Sequence, residues 1–310
     1  MTKLIVLVGL PASGKSTWAR ENEPLLDAVI ISSDKWRKDN FGEEEIQGNN
    51  HDIFESLHKQ TRTQLELGNN VIFDATNLSY KHRIALLNKM PKNTFKECVL
   101  FATDFDICIV QNNNRERSIP KHVMERYYKS ITIPQYNEGW DDIRIIFNYN
   151  RDNYSFGELF DRLDDFDQDN HNHSLTLGAH CKNTARIIKS KDARMYLAAM
   201  LHDIGKEKTK TYKTMKGVPT KDAHYYGHEN VSAYDALFYL DYLENNYGLD
   251  RILCRCSVID KLIYSCGLIQ YHMRPYFTKT DKAKNKLLDL VGQEMYDDLL
   301  VLHEADKESH

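Results

Sequence analysis

Residues 9–17 read Gly-Leu-Pro-Ala-Ser-Gly-Lys-Ser-Thr and follow the apolar run Leu4–Val8 directly. They satisfy G-x-x-x-x-G-K-[ST], in which loop amides wrap phosphates and the following helix adds its positive end. Gly9, Ser13, Gly14, Lys15, Ser16 and Thr17 are the expected nucleotide contacts, with Lys15 near the β- and γ-phosphates and Ser16 on Mg²⁺. A second set has the opposite sense. His180, His202, Asp203, His228, His272 and Asp306 are nitrogen and oxygen donors, and His202 and Asp203 are adjacent. Such a mixture suits Mn²⁺, Fe²⁺, Co²⁺, Ni²⁺ or Zn²⁺ better than a soft thiolate site does. A metal held there acidifies bound water and polarises a phosphoryl oxygen. One site would move a phosphoryl group off a nucleoside triphosphate; the other would remove phosphate by hydrolysis.

Other residues supply the acceptor side. Ser33-Asp34-Lys35-Trp36-Arg37 follows a short apolar run and places a carboxylate where open sheets bind ligands. Asp34 is a candidate to take the proton of an attacking hydroxyl, or else a helix N-cap, and Arg37 is a candidate grip for an acceptor phosphate. Phe73-Asp74-Ala75-Thr76-Asn77 ends another run in polar groups. There Asp74 would support Mg²⁺ through water, Thr76 and Asn77 would bind the acceptor, and Arg83 would join them. Arg115 and Arg117 flank Glu116 between two expected helices, where arginines can neutralise charge on a transferring phosphoryl group. In the second set Lys206, just beyond Gly205, could meet substrate phosphate.

These residues need two kinds of scaffold. Leu4–Val8, Ala28–Ile31, Val71–Phe73, Phe95–Phe101 and Arg144–Phe147 read as strands. Helices fit Ser16–Arg20, Asn50–Leu67, Tyr80–Asn88, Ile107–Arg115 and Pro120–Lys129, and the alternation predicts a parallel sheet. Residues 151–170, dense in Asp, are expected to link a first domain over 1–150 to a second over 171–310, with Phe156–Phe166 a short helix. Beyond it the pattern is helical: Thr176–Lys189, Arg194–Leu201, Gly227–Asn245, Asp250–Tyr264, Lys282–Val291 and Gln293–Leu302. Thr209–Val218 reads as a small loop or hairpin.

The chain has 310 residues, a formal charge of -4 and 41% hydrophobic residues, enough to fill two cores. That charge argues against a large non-specific nucleic-acid surface but not against a local basic groove. The six cysteines form no CxxC pair, and buried thiols in a reducing compartment are expected. The first apolar run ends in the glycine loop and reads as a core strand, not a signal peptide. No run is long enough to span a membrane, and a cytoplasmic enzyme is the expectation.

Gly9–Thr17, Ser33–Arg37, Asp74–Asn77 with Arg83, and Arg115 and Arg117 before Ile119-Pro120 together resemble the kinase module of polynucleotide 5′-hydroxyl kinases. The resemblance covers about residues 1–150. It implies ATP as donor, a 5′-hydroxyl of RNA or DNA as acceptor, Asp34 as general base, Arg37 on the 3′-phosphate of the terminal nucleotide, and lid roles for Arg115 and Arg117. Small-molecule kinases share much of the pattern. From about 171 onward, Leu201–Lys206, His224–Glu229 and His303–Lys307 resemble the HD phosphohydrolase superfamily. That resemblance implies a first metal on His180, His202, Asp203 and Asp306, a second on His228 and His272, and His173 and His224 on substrate phosphate.

The fusion resembles bifunctional RNA-repair enzymes that heal both ends of a break. It implies a 5′-kinase joined to a 3′-phosphatase, a 2′,3′-cyclic phosphodiesterase or both, with a separate ligase for sealing. Two other readings stay open: a kinase and nucleotidase acting on small molecules, and an ATP-gated, non-catalytic RNA-binding switch.

Overall fold

The computed structural model describes residues 1–41, 50–171, 173–188, 192–248 and 258–309. The chain folds as two compact units, one of Met1–Met124 with Glu138–Asn148, the other of Glu125–Asn137 with Tyr149–His310.

The first unit begins with β1 (Lys3–Val8), α1 (Lys15–Asn22), β2 (Ala28–Ser32), α2 (Ser33–Phe41), α3 (Asn50–Glu66) and β3 (Asn70–Asp74). It continues with α4 (Tyr80–Leu87), β4 (Phe95–Thr103) and α5 (Phe105–Asn113); α6 (Lys121–Tyr128) crosses into the second unit, and β5 (Asp142–Asn148) completes the sheet. The five strands are all parallel in the order β2-β3-β1-β4-β5. β1 is central, and Leu4 through Val8 are completely buried. A strand enclosed on both faces must be apolar throughout, and each such side chain contributes about 1.5–3 kcal/mol on burial. Ala19 of α1 packs with Ile5, Leu7, Ile72, Val99 and Phe101. Ser32 and Leu7 both align with Asp74, so three strands end at one edge. That register sets the phosphate loop, Asp34 and Asp74 side by side.

The second unit holds α7 (Phe156–Asp164), α8 (Leu177–Ile187), α9 (Ala193–Leu201), α10 (Lys206–Thr209), β6 (Thr211–Lys213), β7 (Pro219–His224) and α11 (His228–Tyr247). Then come α12 (Val258–Tyr271), α13 (Arg274–Phe277), α14 (Asp281–Val291) and α15 (Gln293–Glu308). α8 packs on α9, α9 on α12 and α12 on α11, with α15 against α8 and α12. Thr176 caps α8 through the Ala179 amide (3.3 Å), and Asp192 caps α9 through that of Arg194 (2.8 Å). β6 and β7 are an antiparallel hairpin.

Several expectations shift. α2 does not stand among the helices read from sequence. α12 runs on to Tyr271 because Leu262, Ile263, Cys266, Leu268 and Ile269 are all buried. Gly267 does not break it: a β-carbon there would meet Met295 at 2.7 Å and Gln135 at 2.8 Å, so the residue serves close packing. The expected start of that helix, 250–257, lies outside the described residues, as do Cys254 and Cys256. Cys98, Cys108, Cys181 and Cys266 are free and buried. The stretch expected as a linker contains α7, whose Leu159, Phe160 and Leu163 are buried. A single cut near 150 would also assign 125–137 to the first unit. Instead Ile131 and Ile133 are fully buried, the Ile133 amide donates to Gln270 (2.5 Å), and Gln135 donates to the Ile263 carbonyl (3.2 Å). Among the described residues no helix is long and apolar enough to cross a membrane.

Candidate active sites

The phosphate loop occupies the turn from β1 to α1. Gly14 is left-handed (φ 97°), a conformation that costs glycine little. At Gly9 a side chain would strike Ser13 Oγ at 2.8 Å and Phe101 Cβ at 3.0 Å. The Gly9 amide donates to the Thr76 carbonyl (3.1 Å), which joins the loop to the end of β3. Lys15 is buried and donates to the Leu10 carbonyl (2.6 Å) and Ser13 Oγ (3.2 Å). Burial pulls its ammonium pKa down to about 8, while Asp74 and Asp34 oppose the shift and Arg115 adds to it. Asp74 is buried, and its pKa is raised by that burial against a hydrogen bond with Ser16 and the charge of Lys15. Ser16 and Thr17 are exposed.

Asp34 lies in the first turn of α2 with a half-exposed carboxylate that accepts from Arg37 at 3.3 Å. Arg37 also donates to the Ser33 carbonyl (3.4 Å). Arg115 and Arg117 lie just past α5 in a loop closed by one side chain: Asn112 donates to the Ile119 carbonyl (2.8 Å) and accepts from its amide (2.9 Å). Lys15, Asp34, Asp74 and Arg115 therefore share one electrostatic neighbourhood.

Two expected acceptor contacts are structural. Arg83 is fully buried, forms a two-point ion pair with Glu138 (2.7 and 2.6 Å), and donates to the carbonyls of Asn77 and Leu78 (3.0 Å each). Glu138 also accepts from the Trp140 indole (3.2 Å). A guanidinium so enclosed is a core brace, not a substrate ligand. Asn77, at φ 49°, spends its amide on the Leu7 carbonyl (2.7 Å), tying β1 to the chain leaving β3. Thr76 stays half-buried beside it.

In the second unit four imidazoles meet around one carboxylate. His180 comes from α8, His202 from the end of α9, His228 from the start of α11 and His272 from just past α12. Asp203 Oδ2 lies 3.4 Å from Nε2 of both His180 and His202. Its Oδ1 lies 3.1 Å from His228 Nε2 and 3.5 Å from His272 Nε2. Asp306 Oδ1 is 3.1 Å from His180 and 3.5 Å from His202. Asp203 therefore faces two donor groups, one per oxygen.

Every ring nitrogen turned away from the centre is engaged. His202, His228 and His272 place Nδ1 against the carbonyl three residues back: Ala199 (2.8 Å), Tyr225 (2.8 Å) and Ile269 (2.6 Å). His180 Nδ1 faces Ser309 Oγ (2.9 Å), and Tyr276 donates to Asp306 Oδ2 (2.8 Å). Nδ1–H donation to a carbonyl fixes the tautomer with Nε2 as the lone-pair donor.

The set fits a divalent cation. Nε2 of His228 and His272 are buried with no hydrogen-bond partner among the described residues, a costly state unless something accepts their lone pairs. His180, His202 and Asp306 form one candidate metal group, and His202, Asp203 and His272 another. Asp203 stays ionised despite burial, because Lys206 and His202 hold its pKa well below the usual range. Asp306 is likewise held low by His180 and His202 against burial. Burial lowers the His272 pKa, which favours a neutral ligand. His202 is pushed well up, with Asp203 and Asp306 overcoming burial, so a metal would displace its proton.

Lys206 reaches Asp203 Oδ2 (2.6 Å), Gln168 (2.9 Å) and His173 Nε2 (3.5 Å), which brings His173 to the rim. His224 instead stacks on Tyr226, ring centroids 5.3 Å apart. Gly205 lets the His202–Lys206 turn press on α11, since a β-carbon would sit 2.5 Å from the His228 carbonyl. Asn112, Gln168, Tyr276 and Ser309 escaped sequence reasoning. Each acts by reaching a distant residue, and no local motif marks them.

Residues 4–134 match the AAA domain family, and residues 170–309 match the HD domain family. An L-seryl-tRNA(Sec) kinase of Methanococcus maripaludis is 27% identical over 155 residues, which are 44% of this chain and 56% of that protein. The chain thus spans little more than half the length of that curated relative. A chain of the Pnkp1/Rnl/Hen1 RNA repair complex is 25% identical over 41% of this chain and 42% of its own, at a TM-score of 0.38. A gluconokinase from Sinorhizobium meliloti is 13% identical over 48% of this chain and 83% of its own, at 0.37. The chain thus joins an N-terminal region that matches the AAA domain family to a C-terminal region that matches the HD domain family and carries a buried His and Asp cluster able to hold a metal ion.

Proposed function

We propose that the protein heals broken RNA ends, phosphorylating a 5′-hydroxyl with ATP and Mg²⁺ and removing or opening the phosphate at the 3′ end. One observation carries this reading: a phosphate cradle flanked by a half-exposed carboxylate shares a chain with a bridging carboxylate among four oriented imidazoles. Adding phosphate at one end and removing it at the other is what a ligase substrate requires. The curated relative's name also points to an acceptor hydroxyl carried on RNA.

In the kinase reaction Lys15 and the loop amides hold the donor phosphates, and Ser16 and Asp74, hydrogen-bonded to each other, would hold the Mg²⁺ that offsets their charge. Asp34 accepts the proton of the attacking 5′-oxygen as the γ-phosphoryl bond forms and ADP leaves. Arg37, already paired with Asp34, orients it and meets the acceptor's phosphate; Arg115 and Arg117 offset the charge of the transferring group. In the HD centre one or two divalent ions, when bound, would supply an activated water and polarise the phosphoryl oxygen. His180, His202 and Asp306 would hold one ion and His228 and His272 the other, with Asp203 between them. Lys206 and His173 lie where the substrate's anionic oxygens need positive charge.

The test is a panel of RNA and DNA oligonucleotides with defined ends, incubated with and without ATP, Mg²⁺ and Mn²⁺, products resolved by mass. The expected product carries a 5′-phosphate and a 3′ end opened or freed of phosphate. Asp34→Ala should lose about 10²–10⁴-fold in 5′ transfer while still binding ATP. Conversion of mononucleotides or free metabolites alone would refute the reading.

A further inference from the structure

The β6–β7 hairpin is bracketed by two residues of the metal centre: Lys206 precedes it, His228 follows it, and both contact Asp203. Its base is tied to the centre's rim. The Ala223 amide donates to the Asp169 carbonyl (2.9 Å), Asn170 donates to the Ala223 carbonyl (3.0 Å), and Tyr225 donates to the Gln168 carbonyl. The acids nearby are spent, Asp169 on Lys210 (2.6 Å) and Tyr212 (2.5 Å), and Asp222 on His171 (2.8 Å). Three lysines remain. Lys213, Lys216 and Lys221 are exposed and have no acidic partner among the described residues. Beside them are half-open aromatic faces, Tyr212 at 45% and Tyr226 at 36% exposure. Tyr226 lies flat on His224, with ring planes 13° apart.

Exposed lysines interleaved with aromatic faces are the chemistry that holds a single strand without reading its sequence, the cations on phosphates and the rings on bases. We infer that this hairpin is a single-strand guide, holding the RNA just 5′ of the 3′ terminus that enters the HD centre. An arm of this kind rises roughly 3.3 Å per residue, enough to follow a few nucleotides. The inference rests on the end-healing reading for the destination of the strand, though not for the binding itself.

The test uses the full chain and a Lys213→Gln, Lys216→Gln, Lys221→Gln variant, with Tyr226→Ala as a second. Binding of a fluorescein-labelled single-stranded RNA is followed by anisotropy across a salt series. Hydrolysis of a mononucleotide 3′-phosphate is measured alongside. The triple variant should bind RNA about tenfold more weakly, and its salt slope should fall by roughly 2, about 0.7 per lost phosphate contact. Mononucleotide turnover should hold at the wild-type value. Tyr226→Ala should weaken binding with the salt slope unchanged. Unchanged RNA affinity and slope would overturn the guide. So would an equal loss on the mononucleotide, which would make the hairpin a brace for the centre. Loss of binding to phosphatidylserine vesicles without loss of RNA binding would also overturn it, in favour of a lipid surface. Lysine-dependent RNA binding by an enzyme that neither phosphorylates, opens nor dephosphorylates any oligonucleotide end would refute end healing and leave the hairpin an RNA surface.

Discussion

At the phosphate loop Lys15 and Asp74 are buried, but the acceptor side opens to solvent through the half-exposed Asp34. Asp34 and Arg37 touch only across one helical turn, Ser16 and Thr17 are exposed, and the arginine loop hangs from one asparagine. In the HD centre the reverse holds: His180, His202, Asp203, His228, His272 and Asp306 are all buried, and each ring has its outer nitrogen pinned. The first site is built from strand ends on one sheet edge and lies partly open. The second is built from helices far apart in sequence and is fixed in advance. Transfer to an arriving hydroxyl tolerates closing on its substrate; a metal centre needs its donors oriented before the ion arrives.

The sharpest way to break this contrast is Asp203→Asn. The change keeps the shape but removes the charge that both donor groups share, so hydrolysis should fall by about 10³-fold or more and bound metal should be lost. Kinase turnover should stay within about twofold. If both activities fell together in a folded, purified variant, the two sites would not be independent.

Next in size is Arg83→Met, which leaves Glu138 charged and unpaired inside the first unit. Thermal or denaturant unfolding should show a loss of about 3–5 kcal/mol. Arg83→Met with Glu138→Leu should recover much of it. A higher acceptor KM with unchanged stability would instead restore Arg83 as a substrate contact.

Ser309→Ala removes the hydroxyl that faces His180 Nδ1, accepts from Thr184 and donates to the Asp306 carbonyl, and metal affinity measured by competition with a chelator should weaken about tenfold. An unchanged affinity would mean that packing alone orients His180. The smallest effect concerns Lys15. With a pKa near 8 the ammonium is the main form at pH 7 and the minor one at pH 9. ATP prefers the charged form, so its dissociation constant should rise as pH rises, by at most about tenfold over that interval. Calorimetric titrations at the two pH values would show it, and a flat profile would place the Lys15 pKa well above 9.

The sequence carries the donor half of each site because those residues obey local rules. Gly9–Thr17 is a continuous motif, and Asp34 and Asp74 each end an apolar run. His202-Asp203 sits at a helix end, with Lys206 just beyond it. What the sequence hides is the pairing of remote residues. Arg83 reads as an acceptor contact on a short helix until Glu138, fifty-five residues on, is seen to pair with it. Asn77 looks like a ligand until its amide is found on the Leu7 carbonyl. The helix read as ending at Tyr264 runs on through Gly267, whose close packing on Met295 and Gln135 no local pattern marks. The expected metal residues do converge, but the bridging position of Asp203 emerges only when its two oxygens are seen to face different histidines.

The assignment of residues 125–137 to the second unit bears on how this gene can be dissected. A fragment ending near residue 150 would carry off Ile131, Ile133 and Gln135, exposing two apolar side chains that the full chain encloses. The complementary fragment would lose the partners of Gln270 and of Asn230, which donates to the Lys129 carbonyl (2.9 Å). Those two residues stand two places from His272 and His228. Splitting the halves at the visible seam should therefore yield a sticky kinase and a phosphohydrolase with a loosened second donor group. The halves are interleaved along the chain, and exchanging either between proteins by a single crossover would damage both.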